Sequence, residues 1–381
     1  MLAKLPPMGF NTWNTFGGDI NENLIREIID TIADNGFREA GYEYVIIDDC
    51  WAERERGADR QLYASRTKFP SGIKALTDYA HSKGLKFGLY SCAGVRTCCG
   101  YPGSFDHEYD DARRFASWGV DYLKYDFCNF PTKADNQHRY LTMSMALRAS
   151  GREIMFAACN WGRKEPSGWM RSIGAHTYRS DTDIRDNFSS CADIIRNQHS
   201  NLNGNAPGCW NDLDMLTVGM NGNGHAAVGN HMTPEEYELQ FAFWCMVGSP
   251  LIIGCDVRNV DERSAKLLCH PGLLSISQDP GALPPYIVQG RYSDESCKED
   301  TYILLKILDG GEFALGFFNL RDDGASVDCI FSDCGISCLN GMGVMLTDVL
   351  SGDKLGVFTD DIRIGVKAHG CRVLRGRIVY S

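Results

Sequence analysis

No apolar run in this 381-residue sequence approaches the ~18 residues that a membrane-spanning helix needs. The longest, such as 250–255, have the length of a core strand. No cluster of Lys or Arg stands out either, and 38 basic residues against 49 acidic ones leave a formal net charge of −11. Nucleic-acid affinity rests on basic contacts to phosphate, so neither nucleic acid nor a membrane is expected as a partner. No His residues stand at ligand spacing beside the aspartates, so no metal is expected. No G-x-G-x-x-G follows the first β-rich run, which sets aside an NAD-dependent oxidoreductase. The opening, Met1-Leu-Ala-Lys-Leu-Pro-Pro, has no apolar h-region. A cytoplasmic location is the expectation, with a secreted one open if a signal has been removed.

What is present is ordinary globular material. Hydrophobic residues make up 44%, aromatics 11% and charged residues 23%, enough for a sizeable core and an apolar pocket. The 40 glycines lie between periodic segments, as turns require, and form no low-complexity tract or repeat. The 16 cysteines are spread along the chain and read either as a reduced cytosolic set or as a partly oxidised secreted one.

Over about the first 280 residues two patterns alternate. Short β-rich runs lie at 8–11, 44–49, 86–91, 122–127, 154–159, 177–181, 212–216 and 250–255. Helical stretches lie near 22–35, 72–83, 108–118, 136–149, 167–173, 188–199, 234–247 and 261–269. The first of these shows the helical period, with Leu24, Ile25, Ile28, Ile29 and Ile32 on one face. The one at 234 has a full start signal: Thr233 as N-cap, Pro234 first in the helix, and Glu236 completing a capping box. Eight strand–helix units predict an α/β fold, a (β/α)8 TIM barrel over 1–283, with a doubly wound sheet as second choice. Beyond 283 the runs 301–308, 312–320, 326–331, 343–350 and 371–380 alternate apolar and polar between Gly/Asp turns. They predict a C-terminal antiparallel β-sandwich over 284–381. Two such domains also offer surfaces for a homo-oligomer.

Barrels of this kind carry their active sites at the C-terminal ends of the strands. There the sequence supplies Trp13 and Asn14 after the first strand, Asp48-Asp49 after the second, and Lys124 and Asp126 on the fourth. Cys159-Asn160-Trp161 end the fifth, Arg179, Asp181 and Asp183 the sixth, and Asp212, Asp214 and Met215 the seventh. Lys124 and Asp126 are two apart and share a face, and an ammonium beside a carboxylate keeps it ionised, as a nucleophile must be. Arg179 and Asp183 can share a face too. Two carboxylates across a barrel mouth are what glycoside hydrolysis uses: one attacks or activates, the other protonates the leaving oxygen. Trp13, Trp51 and Trp161 on adjacent loops would give the apolar face of a sugar a packing surface. Singly, an Asp at a strand end is more often a turn residue or a helix cap, as Asp181 and Asp186 can be. Cys98, Cys99 and Cys128 can be ordinary core thiols, and Ser180 and His176 suggest no serine triad. Two other classes stay open: a metal-dependent hydrolase using Asp48, Asp49, Asp212 and Asp214, and a carbohydrate-binding protein without catalysis.

Taken together these segments resemble glycoside hydrolase family 27, the α-galactosidase and α-N-acetylgalactosaminidase family, and its bacterial-type α-galactosidases. The likeness rests, in order, on 7-PMGFNTWN-14, 44-YVIIDDCW-51, 98-CCGYPGS-104, 122-YLKYDFC-128, 158-ACNWG-162, 179-RSDTD-183, 210-WNDLDML-216 and 247-VGSPLIIGCD-256. At the junction to the sandwich, 275-SISQDP-280 continues it. The resemblance implies a retaining hydrolysis of terminal α-linked galactose, with Asp126 as nucleophile and Asp183 as acid/base. It implies that Asp48, Asp49 and Lys124 bind sugar hydroxyls, that Arg179 and Asp214 bind those nearest the reaction, and that Trp13, Cys159, Asn160, Trp161 and Met215 line the pocket. It also implies an α-galactoside oligosaccharide or glycoconjugate as substrate, no cofactor, and a disulfide between Cys98 and Cys128.

Two positions depart from the family pattern. Many relatives pair the cysteine at Cys50 with one in the loop after the first strand; here that place is Gly18, so Cys50 is expected to be a free thiol. Asn160 stands where many α-galactosidases carry Glu, near the sugar O2. That keeps α-N-acetylgalactosaminidase and β-L-arabinopyranosidase activity as alternatives, although the unaltered Asp48-Asp49 pair argues against the second.

Overall fold

A computed structural model describes residues 1–198, 201–289 and 300–380. The N-terminal part holds eight parallel strands: β1 (Met8–Asn11), β2 (Tyr44–Ile47), β3 (Lys86–Cys92), β4 (Tyr122–Asp126), β5 (Met155–Cys159), β6 (Thr177–Arg179), β7 (Trp210–Asp212) and β8 (Leu251–Ile253). They pair in the order β7-β6-β5-β4-β3-β2-β1-β8, so β1 lies between β2 and β8. The circle closes just past β7, where Leu216 bridges Ile253 and exchanges backbone hydrogen bonds with Ile252 and Gly254 at 2.8 and 2.9 Å. The expected (β/α)8 barrel is the observed fold. No helix among the described residues is long and apolar enough to cross a membrane.

Strand alternation explains why the chemistry gathers at one end. Tyr44, Ile46, Tyr122, Met155, Ala157, Trp210 and Ile252 form one apolar cluster inside the barrel. Val45, Ile47, Leu123, Tyr125, Phe156 and Ala158 belong to the separate cluster under the helices. Gly9 and Gly88 sit where a Cβ would run into Tyr44, or into Ile46 and Tyr122, so the tyrosines need glycine opposite them. One step further along, each inward row turns polar: Tyr44-Ile46-Asp48, Tyr122-Lys124-Asp126, Met155-Ala157-Cys159 and Thr177-Arg179. Apolar layers floor the barrel, and a charged layer lies above them.

The helices follow their sequence signals closely. In Glu22–Asp34 the Asn21 side chain accepts from Leu24 N at 3.0 Å, and Leu24, Ile25, Ile28, Ile29 and Ile32 are buried against the strands. Each such side chain contributes ~1.5–3 kcal/mol. Pro234–Val247 opens with the expected capping box: Glu236 N donates to Thr233 Oγ1 at 3.3 Å, and Thr233 N donates to the Glu236 carboxylate at 2.6 Å. Other expectations need correction. Residues 167–173 form no α-helix; Pro166–Gly168 is a single 3-10 turn followed by further turns, in a stretch interrupted by Gly168 and Gly174. The seventh strand is Trp210–Asp212 and not 212–216, because Asp214 takes a left-handed φ of 78° just beyond it. The helix expected at 188–199 runs Phe188–Arg196, and residue 199 lies outside the described residues. An additional helix, Pro271–Ser277, follows the last of the expected ones.

The C-terminal part is antiparallel: β9 (Tyr286–Gln289), β10 (Thr301–Ile307), β11 (Glu312–Asn319), β12 (Ala325–Ile330), β13 (Met342–Asp348), β14 (Lys354–Phe358), β15 (Asp361–Val366) and β16 (Gly370–Tyr380). Six strands form a sheet, β14-β13-β16-β11-β10-β9, and β12 pairs β15 in a second one. Ile303, Leu305, Leu315 and Phe317 of the larger sheet pack against Cys329, Ile362 and Ile364 of the smaller. The opposite face, through Leu304, Ala314, Phe318 and Val373, packs on the barrel, with Phe318 5.1 Å from Phe243. Strands β9, β14 and β15 add to the expected set, and residues 290–299 and 381 of the expected sandwich lie outside the described residues.

Lys306 of β10 shares that barrel-facing surface and is only 1% exposed. Its Nζ lies over Gly248, the left-handed C-cap of Pro234–Val247. Burial pushes its amine down to about 8, against smaller upward pulls from Cys245 and Asp279. The unfolded chain holds the same proton up to about 10.5. Between those values the unfolded state binds more protons, so stability rises with pH in that window and the whole penalty is present below it. A shift of this size corresponds to ~3 kcal/mol. Lys306→Met is therefore expected to stabilise the protein at pH 7 by ~2–3 kcal/mol and to flatten the alkaline rise. Urea denaturation of both proteins at pH 7 and pH 10 checks this; equal midpoints at both would contradict it.

Candidate active site

The charged layer is built one strand at a time. Asp48, directly after β2, is 2% exposed. Its Oδ2 accepts from Lys124 Nζ at 2.7 Å and from Asn11 Nδ2 at 2.8 Å, and its Oδ1 accepts from Asp49 N at 2.9 Å. Burial works against the charge on Lys124, but Asp48 beside it holds the ammonium well above the usual lysine range. Asp49 accepts from Cys50 N at 2.7 Å and from Cys99 N at 3.0 Å, so both its oxygens are held by backbone amides. Burial still raises its carboxyl above the usual range.

Asp126 ends β4 and is 6% exposed. Its Oδ1 accepts from Phe127 N at 2.8 Å, and its Oδ2 accepts from the Tyr90 hydroxyl at 3.0 Å. Cys98 and Cys128 form a disulfide, their Cα atoms 5.0 Å apart. Both sulfurs lie within 4.0 Å of Asp126 Oδ2. Burial pushes the Asp126 carboxyl up to about 6; Lys124 pulls the other way, and the charge of Asp183 adds to the rise.

Across the mouth, Arg179 ends β6 and is 2% exposed. One guanidinium nitrogen donates to Asp183 Oδ1 at 2.9 Å and another pairs with Asp214 Oδ1 at 2.7 Å. The Asp183 side chain is 50% exposed. Burial acts to raise its carboxyl, but Arg179 and Lys124 outweigh that and hold it below the usual range. Asp214 is 3% exposed, and burial pushes it up to about 6 against the pull of Arg179. Its second oxygen accepts from Ile184 N at 2.8 Å and so pins the chain next to Asp183.

Four non-glycine residues at this rim have left-handed backbone: Cys50 with φ 73°, Asn129 with φ 49°, Trp161 with φ 56° and Asp214 with φ 78°. Each follows a barrel strand within two or three residues. Such conformations cost on the order of 1–3 kcal/mol each and persist where the surroundings impose them, often at functional sites. Asn11, Lys124, Cys159, Arg179, Asp212, Asp214 and Met215 line a single cavity, floored by Ile46, Tyr122, Ala157 and Ile252. Trp13 and Trp161 are half-buried beside it, Trp161 edge-on to Phe127 at 6.0 Å.

Two expected residues sit differently. Trp51 is 3% exposed, its ring packs on Phe115 and Trp118, and its Nε1 donates to Tyr90 O, so it offers no surface to a sugar. Asn160 is 0% exposed, and its Nδ2 donates to Arg163 O at 2.6 Å. Two residues were missed. Tyr90 grips Asp126, and Asn11 grips Asp48. The alternation that pointed to Lys124 and Asp126 would have found both: Asn11 is two beyond Gly9, and Tyr90 two beyond Gly88.

Two carboxylates, close enough for the charge of one to raise the other, thus stand beside a pocket with an apolar floor. One is held in a buried cage. The other is half exposed and tied to a guanidinium. That is an arrangement for attack at one face of a bond and proton transfer at the other. The alpha galactosidase A family model matches residues 5–279. The chain belongs to glycoside hydrolase family 27. Within family 27, an α-galactosidase of Cyamopsis tetragonoloba is 38% identical over 373 residues, 98% of this chain and 86% of that protein. The crystal structure of α-galactosidase I from Mortierella vinacea has a TM-score of 0.90 and 32% identity, covering 98% of this chain and 97% of that one. The structure of an α-galactosidase from Saccharomyces cerevisiae with raffinose has a TM-score of 0.90 and 28% identity, covering 99% and 98%.

Proposed function

We propose that this family 27 chain is a retaining α-galactosidase that removes terminal α-linked galactose from oligosaccharides or glycoconjugates. The observation that carries this is the pair Asp126 and Asp183, near enough for the charge of Asp183 to raise Asp126, beside a cavity lined by Lys124, which holds Asp48, and by Arg179, which holds Asp183. Asp126, aimed by Tyr90 and Phe127 N, attacks the anomeric carbon while Asp183 protonates the leaving oxygen. A galactosyl ester forms on Asp126. Asp183, now ionised, takes a proton from water, and that water displaces Asp126 from the anomeric carbon, restoring the α configuration. Lys124 faces both Asp48 and Asp126, so it balances carboxylate charge on either side. Asp48 and Asp49 accept from the sugar hydroxyls. The raffinose in the yeast relative's structure supports an oligosaccharide as substrate. Asn160 is buried, bonded to its own loop and absent from the cavity lining.

Hydrolysis of 4-nitrophenyl α-galactoside, followed by proton NMR, tests this. The first-formed galactose should be the α anomer, and the α-N-acetylgalactosaminide and β-L-arabinopyranoside should turn over far more slowly. Release of the β anomer first, or a preference for either other sugar, would overturn the reading.

The two carboxyls titrate as a pair. The competent form holds one proton between them. As pH rises through about 6, the value to which Asp126 is pushed, that last proton leaves and no acid remains. Below the depressed value of Asp183 a second proton enters and the nucleophile is lost. We therefore expect kcat/KM to be bell-shaped with an acidic optimum and an alkaline limb centred at about 6. A profile flat from pH 5 to 8 would contradict the pairing.

A further inference from the structure

Beside the bonded pair Cys98–Cys128 lies a second pair of thiols. Cys50, in the loop after β2, is 6% exposed, and Cys99, in the loop after β3, is half-buried and open to solvent. Their sulfurs and a carboxylate oxygen of Asp49 lie within 4.8 Å of one another. The amides of these same two residues are the ones that hold Asp49, at 2.7 and 3.0 Å. The Tyr101 side chain also reaches Cys50, and Gly18 lies against its sulfur, where an added Cβ would stand only 3.1 Å away, so the first loop brings no thiol to it.

We propose that Cys50 and Cys99 are a dithiol site for thiol–disulfide exchange, and that a small-molecule disulfide converts them into a second bond that clamps Asp49. The consequence for catalysis rests on Asp49 being a sugar-binding residue, as assigned above. The accessible Cys99 thiolate attacks one sulfur of the small disulfide and expels one small thiolate. The Cys50 thiolate then attacks the Cys99 sulfur of the mixed disulfide and expels the other. The two protons given up by Cys50 and Cys99 end on the two released thiols. One small disulfide is reduced and one protein dithiol is oxidised, with nothing left over. Burial pushes Cys50 up to about 12, and burial with the nearby Asp49 charge raises Cys99, so both are protonated at neutral pH and the exchange quickens as pH rises. Once closed, the bond joins the two loops whose amides aim Asp49 and removes their freedom to part.

The full chain is incubated with glutathione disulfide at pH 8.5, alkylated with iodoacetamide in denaturant, digested and mapped by mass spectrometry. The expected result is a Cys50–Cys99 linked peptide, two fewer alkylated thiols than the untreated protein, and an intact Cys98–Cys128 peptide. The thermal midpoint should rise by a few degrees, and KM for an aryl α-galactoside should fall at least twofold with kcat little changed. In Cys99→Ala the same treatment should leave Cys50 alkylated. Cys99 stopping as a mixed glutathione disulfide, or Cys50 bonding to Cys98 or Cys128, would overturn the dithiol site. A bond that forms with KM unchanged would overturn the clamp on Asp49. A bond that forms in a protein with no α-galactosidase activity would overturn the functional reading and leave the dithiol site standing.

Discussion

Asp126→Asn is expected to retain no more than roughly 10⁻⁴ of the wild-type kcat on an aryl α-galactoside while keeping the fold. The two-step reaction has no first step without an anionic oxygen at this position, and an amide cannot form the galactosyl ester. A 10⁴-fold loss corresponds to ~5.5 kcal/mol of barrier, within what removal of a nucleophile produces. The substitution is nearly isosteric. The amide oxygen can still accept from Phe127 N, and the Tyr90 hydroxyl, 3.0 Å away, can turn to accept from the new NH₂. Removing a charge from a side chain only 6% exposed also removes a desolvation penalty, which offsets the lost attraction to Lys124. The thermal midpoint should therefore stay within a few degrees of wild type, and calorimetry should still detect galactose binding. Activity above ~1% in a protein free of wild-type contamination would remove Asp126 from the nucleophile role. With Asp126→Ala the cavity admits azide, and any turnover it restores should yield the β-galactosyl azide, because attack then comes from the face that Asp126 occupied.

Much of this site was legible because a strand has a period of two. The same alternation that places Tyr122 in the barrel floor places Lys124 and Asp126 above it, and no long-range information is needed. Thr177 and Arg179, and Tyr44 and Asp48, follow the same rule. The barrel was legible for a related reason: eight apolar runs of strand length alternate with helices whose faces are written in positions such as Ile25, Ile28, Ile29 and Ile32. What could not be read depends on partners far along the chain. Trp51 looked like a sugar platform, but Phe115 and Trp118, more than sixty residues on, bury it. The left-handed turns at Cys50, Trp161 and Asp214 carry no glycine to announce them, since their conformations are imposed by hydrogen bonds such as Ile184 N to Asp214. The seventh strand was displaced for the same reason. Strand β14, at 354–358, is mostly exposed, and only pairing with β13 makes it a strand, whereas β15, at 361–366, alternates cleanly through Ile362, Ile364 and Val366 and was there to be read.

Asp183→Asn should divide the reaction according to its leaving group. With a poor leaving group, such as the sugar of a disaccharide, kcat/KM should fall by ~10³–10⁴-fold, the scale of general acid catalysis. With a 2,4-dinitrophenyl α-galactoside, whose leaving oxygen needs no proton, kcat/KM should fall no more than ~10-fold, because Asp126 and its cage are untouched. The second step still lacks its base, so kcat drops and the galactosyl enzyme accumulates on Asp126, visible as a mass increase on the intact protein. Azide needs no deprotonation. It should restore turnover and give the α-galactosyl azide, the opposite anomer to that expected from Asp126→Ala. The pH profile should change in a way that a purely structural defect would not produce. Asp183 no longer supplies the proton whose loss shapes the alkaline limb, so that limb should vanish for the dinitrophenyl substrate. Asp183 is also one of the charges that raise Asp126, so the remaining acid limb should report an Asp126 value below about 6. Arg179 keeps Asp214 at 2.7 Å whatever stands at position 183, which preserves the rim. Equal losses on both substrates, with no response to azide, would assign the acid/base role to another group, and Asp214, the other carboxyl held by Arg179, would be the one to test.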